Sequence, residues 1–131
     1  MKITLKPGEK LFLNGAVVRS DKKITLELVN DAVFLLENHV MQKEETDTPL
    51  KQLYFTGQIM LMDPQCGVET FPIFVDMLSK LLKTFSDSTI LFSLKDCADL
   101  AQKGKIFEIL KIVRGLFSRE AEIMNNSFLK K

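Results

Sequence analysis

A change of hydrophobic period divides this chain. Through residue 42 the apolar residues come in short runs, ITL, KLFL, AVVR, ITLELV and AVFLLE, broken by polar turns. From residue 49 onward they recur at three- and four-residue steps. Alternation suits half-buried strands, whereas the longer spacing suits amphipathic helices. The acidic link KEETDT, residues 43–48, separates the two regimes. Strands first and helices later is the α+β pattern. The expectation is an N-terminal antiparallel β-meander of about five short strands (1–42), then a bundle of four to five helices (49–131). A chain of 131 residues suits one domain. With 46% apolar and 27% charged residues it can build a core beneath an ordinary surface. Whether the strands curl into a small barrel or stay an open sheet is left open by the pattern.

Turn chemistry sets the strand boundaries. Lys6-Pro7-Gly8-Glu9 places proline where a fixed negative φ is wanted and glycine where a type II turn needs a positive one. Asn14-Gly15 is the strongest two-residue hairpin signal, since both residues tolerate the φ of a type I′ turn. Ser20-Asp21-Lys22 and Asn30-Asp31 offer two further turns. In ITLELV, Ile24, Leu26 and Leu28 alternate with Thr25, Glu27 and Val29, so one face is buried and the other mostly polar.

Helix signals follow. Thr48-Pro49 supplies an N-cap oxygen and a first-turn proline, so a helix is expected from there to Asp63-Pro64, with Leu50, Leu53, Tyr54 and Leu61 on one side. A Cys66-Gly67 loop should come next. Phe71, Phe74, Val75, Leu78, Leu81, Leu82 and Phe85 mark a second helix, with Pro72 in its first turn. Asp87 or Ser88 can cap a third, carrying Ile90, Leu91, Leu94 and Ala98 and stopping near Gly104. Ile106, Leu110, Val113 and Phe117 define a fourth, and a short fifth is expected from about Ser118 to Asn125.

Several function classes find no support. No apolar run nears the roughly 20 residues that cross a bilayer, and Pro7, Gly8, Glu9 and Lys10 interrupt any apolar signal core. Cys66 and Cys97 are far apart and lack close-spaced partners, which favours two reduced, partly buried thiols in a cytosolic protein over a disulfide or a zinc site. His39, the single histidine, has neighbouring Glu37 but no nucleophile or orienting partner at recognisable spacing. It reads as a structural imidazole. The glycines form no phosphate loop, and Glu44, Glu45 and Asp47 lack calcium-loop spacing. No catalytic residues, metal site or cofactor are expected, and the chain is not read as an enzyme. Met60-Leu61-Met62 is either an adaptable binding surface or core filler. Phe12 and Phe34 can stack on unpaired bases or pack inside.

Charge is distributed unevenly. Residues 1–23 carry Lys2, Lys6, Lys10, Arg19, Lys22 and Lys23 against Glu9 and Asp21, a net +4, so the rest of the chain sums to −3. Inside that remainder, Lys103, Lys105, Lys111, Arg114 and Arg119 oppose only Glu108. Such asymmetry concerns partners and not fold. The two clusters are either solvated faces or candidate contacts for an anionic polymer, with Arg19 the best suited to bidentate contact.

The run GEKLFLNGAVVRSDKKITLELVNDAVFLLENHVM, followed by TPLKQLYFTGQIMLMDP, closely resembles the FlbT family of flagellar regulators. The similarity is strong over residues 8–64, with NGAVVR, LLENHV and TPLKQLYF as its most specific pieces, and looser beyond. The motif residues shared here are Gly8, Asn14, Gly15, Arg19, Leu36, Glu37, Asn38, His39, Pro49, Gln52 and Tyr54. The resemblance implies a cytoplasmic bacterial protein that controls flagellin synthesis after transcription. It would bind the 5′ untranslated leader of flagellin mRNA and promote loss of the message. It also implies a link to a small companion flagellar protein, FlaF, and some members act as activators. The alternative is an interaction module that holds flagellin or a flagellar regulator and affects the message indirectly. A homodimer through an exposed strand edge is compatible with both.

Overall fold

The computed structural model describes residues 1–30 and 32–129, with side chains placed for all of these but Pro64 and residues 126–129. The α+β expectation holds. Strands β1 (Lys2–Leu5), β2 (Lys10–Leu13), β3 (Ala16–Arg19), β4 (Ile24–Glu27) and β5 (Phe34–Leu36) precede five helices. These are α1 (Pro49–Met62), α2 (Pro64–Thr84), α3 (Ser88–Gln102), α4 (Ile106–Gly115) and α5 (Phe117–Leu129).

Every strand pairing is antiparallel, but the strands divide into two sheets, β1–β4 and β3–β2–β5. Among the described strands, only the β2–β3 hairpin joins neighbours in the sequence, where a simple meander would join them all. Its tip is the expected one, with Asn14 at φ 49° and Gly15 at φ 86°. The Lys6-Pro7-Gly8-Glu9 turn also forms, closed by a 3.0 Å bond from the Glu9 N–H to the Lys6 carbonyl, with Gly8 at φ 76°. The split has a side-chain reason. Pairing β1 with β4 sets Ile3 opposite Leu26 and Leu5 opposite Ile24 on the inner face, while Thr4 meets Thr25 and Lys2 meets Glu27 outside. Ile3, Leu5, Leu11 and Phe34 then form a small core shared by both sheets. Phe107 of α4 packs against it, its ring 5.0 Å from that of Phe34. Phe12 is half-buried and Phe34 buried. Of the Asn30-Asp31 turn, Asp31 lies outside the described residues.

The helical core is much larger, built around Leu53, Tyr54, Phe74, Ile90, Leu94 and Ile109. Thr48 caps α1 by accepting from the Lys51 N–H. At Gly57 the neighbouring helices crowd closely against α1. A Cβ there would stand 2.7 Å from Leu110 and 3.1 Å from Phe74. Met60 fills core, and Leu61 is half-buried against it. Asp87 caps α3 by accepting from the Ile90 N–H, and the chain turns at Gly104 as expected.

Two boundaries differ from expectation. Cys66 and Gly67 are helical, because α2 starts at Pro64 and not near Phe71. Asp63 performs two tasks there. Its N–H ends α1 on the Ile59 carbonyl, and its carboxylate accepts from the Gln65 N–H to cap α2. Pro72 is therefore interior to α2 and not in its first turn. It cannot donate to the Val68 carbonyl four residues earlier. Both Pro72 and Val68 are exposed, so water can serve that carbonyl. The second difference is at Phe117, which opens α5 where it was expected to close the fourth helix; Leu116 intervenes with its N–H on the Val113 carbonyl. Among the described residues, no helix is long and apolar enough to cross a membrane. Cys97 is buried and Cys66 exposed, both as free thiols, so the partial burial expected of the pair holds for neither.

Candidate nucleic-acid interface

The six basic residues of the strand region are all exposed. Strand pairing decides which of them meet. Lys10 and Arg19 are direct partners across the β2–β3 hairpin, which puts them on one face. The Gly8 N–H donates to the Ser20 carbonyl at 2.8 Å, fastening the turn that carries Lys6 to the loop that carries Lys22. Leu5 pairs with Ile24, so Lys6 and Lys23 leave the β1–β4 ladder together. Lys6, Lys10, Arg19, Lys22 and Lys23 thus gather at one end of the two sheets. Lys2 does not join them; it pairs with Glu27 at the far end. Two acids at the basic end face backbone. Glu9 accepts from the Lys6 N–H at 3.1 Å, and Glu37 from the Lys10 N–H at 3.4 Å.

The second basic set does not form one face. Lys103 and Lys105 are exposed on either side of Gly104. Lys105 and Lys111 line a cleft of about 910 Å³ with Met1, Asn14, Phe34 and Phe107. Met1 and the hairpin tip at Asn14 mark the sheet end opposite Arg19, so this cleft and the strand cluster are a strand length apart. Lys111 rests over the Phe107 ring at 4.5 Å. Arg119 is committed to ion pairs, 2.7 Å to Asp87 and 3.3 Å to Glu122. It holds the Asp87 carboxyl below its ordinary range, mainly by direct hydrogen bonding.

Arg114 goes elsewhere. It projects from the last turn of α4, where a cation suits the helix dipole. There it enters a groove of about 470 Å³ lined by Asn38, His39, Lys51, Tyr54 and Phe117 among others. Arg114 Nη1 donates to the Tyr54 hydroxyl at 3.0 Å, and that hydroxyl donates to the His39 carbonyl at 2.6 Å. Phe117 meets the Tyr54 ring edge-on at 5.6 Å. One helical turn along α1, the buried Gln58 clamps the next stretch of backbone. Its carbonyl oxygen accepts from the Met41 N–H at 2.6 Å, and its amide donates to the Met41 carbonyl at 2.8 Å. Burial first and the Arg114 charge second push the His39 imidazole below its ordinary pKa, which favours the neutral ring. Burial raises the Tyr54 phenol, with Arg114 acting in the opposite sense.

Reading the sequence missed Gln58, the Tyr54–Arg114 bond and Glu120. Gln58 was detectable in part, as a polar side chain on the buried face of a helix, four residues after Tyr54. Among the described residues, no group of three or more His, Cys, Asp or Glu side chains is placed to hold a metal ion.

Residues 1–124 match the family described as "Flagellar protein FlbT". A Brucella anthropi protein named "Probable flagellum biosynthesis repressor protein FlbT" is 49% identical over 124 residues, covering 95% of this chain and 82% of its own. Proteins of the same name from Brucella ovis and Brucella suis are 48% identical over the same shares. No solved structure matches. With all five strands, helices α1 to α4 and the motif residues inside that match, the chain belongs to the FlbT family of flagellar proteins.

Proposed function

We propose that this protein is a cytoplasmic, post-transcriptional regulator of flagellin synthesis that binds the 5′ untranslated leader of flagellin mRNA. Binding directs the message to decay or keeps ribosomes from it. The repressor name carried by relatives sharing about half of the sequence supports the regulatory part. One observation carries the RNA part: strand pairing gathers Lys6, Lys10, Arg19, Lys22 and Lys23, all exposed, at one end of the sheets. Such a patch gains affinity by releasing counterions from phosphates, with a salt slope of roughly −0.7 per phosphate on single strands. Titration of nuclease-treated protein with labelled leader RNA at several salt concentrations tests this. Binding should be salt-sensitive and weakened by charge reversal at Arg19, Lys22 and Lys23. Absence of binding at low salt rejects it.

A second reading rests on the exposed apolar side chains Val68 (83% exposed), Ile73 (58%) and Phe92 (71%) on α2 and α3. They suit a protein partner such as flagellin or a FlaF-like flagellar protein. Nuclease-resistant co-purification with flagellin, without leader binding, would favour it. The unpaired outer edge of β3, whose four residues are all exposed, leaves room for a homodimer, which light scattering checks.

A further inference from the structure

We propose that the groove holding Arg114 is a nucleotide pocket, in which one phosphate of a single-stranded RNA sits on Arg114 and Lys51 and its base lies against His39. This rests on the RNA-binding reading and extends it to residues outside the strand cluster.

The first argument is the state of Arg114. Among the described residues it has no carboxylate within ion-pair distance, whereas Arg119, five positions on, has two. Its one side-chain hydrogen bond among the described residues is to a phenol that is itself tied to the His39 carbonyl. The guanidinium is thus fixed in direction while keeping donors for a ligand, the arrangement that suits a planar fork to phosphate. The acids of the groove are engaged locally. Glu45 accepts from the Gln42 N–H at 2.7 Å, and Asp47 pairs with Lys51 at 3.4 Å. The Lys51 pair is an i,i+4 surface contact, weak enough to be exchanged for a phosphate.

The second argument is the wall beside it. His39 is half-buried and favours the neutral form, so its ring offers a flat face without repelling Arg114. Asn38 next to it supplies amide donors and an acceptor for a base edge. Tyr54 and Gln58 hold this backbone by its carbonyls and N–H, so the wall is set before any ligand arrives. The volume, about 470 Å³, falls in the range of small-ligand sites.

The third argument is continuity. Leu36 pairs with Leu11, and the Lys10 N–H reaches Glu37. The turn that carries Asn38 and His39 therefore begins beside Lys10, with Arg19 on the far side of β2. A strand lying on the basic end of the sheets needs to advance only past Glu37 to enter the groove. The cleft at Lys105 and Lys111 has no such connection, because it lies at the other end.

The test uses the full chain labelled with ¹⁵N and titrated with uridine 5′-monophosphate, then with inorganic phosphate. Uridine monophosphate should move the resonances of Asn38, His39 and Lys51, and Arg114→Gln should abolish the movement. Equal movement by inorganic phosphate alone would reduce the groove to a simple anion site and overturn the nucleotide assignment. No movement by either probe overturns it outright, whatever the leader RNA does. In parallel, Arg114→Gln should weaken leader binding about tenfold and lower the salt slope by about 0.7, the loss of one phosphate contact. Tyr54→Phe keeps the ring but frees Arg114, and should fall between wild type and Arg114→Gln. If both variants bind the leader as wild type does while Arg19→Glu weakens it, the pocket fails and RNA binding by the strands stands. If the wild type ignores the leader but uridine monophosphate still moves the groove, the RNA reading fails and the RNA occupant proposed here fails with it, leaving a site for free nucleotides.

Discussion

The strand region and the helical region divide the work of this molecule unequally. Four buried side chains, Ile3, Leu5, Leu11 and Phe34, form the core of the strands, and β3 is exposed along its whole length. Among the described residues the bundle buries sixteen, including the largest, Tyr54 and Phe74. Hydrophobic stabilisation scales with apolar area removed from water, so most of it resides in the helices. The strands devote their chain to turns, charge and surface. The difference teaches where to look for each property: stability in the bundle, and the proposed recognition at the basic end of the sheets and the groove beside it.

Truncation breaks or sharpens that division most strongly. Leu53→Ala in the bundle should cost about 2–5 kcal/mol in denaturant unfolding, and Val17→Ala on β3 should change stability by less than about 0.5 kcal/mol. Similar losses at both sites would refute the contrast. Next is Glu120, a fully buried carboxylate of α5 whose Oε2 accepts from the Leu50 N–H at 2.9 Å. It ties the last helix to the start of α1, where the helix dipole favours an anion. Glu120→Ala leaves that N–H without a partner and should cost about 1–3 kcal/mol.

Thiol chemistry gives a finer probe. Burial pushes the Cys97 thiol up to about 12, while Cys66 is exposed and its thiol is raised by Asp63. A thiol reagent should therefore modify Cys66 first, and Cys97 only as the bundle unfolds. Early reaction at Cys97 would mean the bundle opens locally, contrary to its role as the stable half.

The smallest effect concerns His39. Its folded pKa lies below its ordinary value, so between the two the unfolded chain binds the extra proton. Stability should fall slightly as pH drops through about 6.5 and level off once the folded imidazole also protonates. His39→Gln should remove this step from the pH dependence of the melting midpoint.

What could be read in the sequence was local. Pro7-Gly8, Asn14-Gly15, Thr48-Pro49, Asp87 and Gly104 act on backbone within a few residues, and each sits where its chemistry places it. The β1–β4 pairing was not legible, since any apolar alternating strand can partner another and the choice depends on the whole core. The start of α2 was missed because Asp63 both ends one helix and caps the next, a role invisible to periodicity. The groove was hardest. Arg114 stands 60 residues from Tyr54, and Glu120 stands 70 from Leu50. In sequence Arg114 looked like Arg119; only packing showed one engaged by carboxylates and the other turned towards a phenol. The charge clusters were visible, but their division between two sheet ends required the register.

That division supplies the most direct test. Leader RNA affinity should be measured across a salt series for wild type, for Arg19→Glu with Lys22→Glu and Lys23→Glu, and for Lys105→Glu with Lys111→Glu. The strand triple should lose most of the affinity and flatten the salt dependence, while the cleft double should bind nearly as wild type does. Wild-type affinity in the strand triple, or its loss only in the cleft double, would contradict the account.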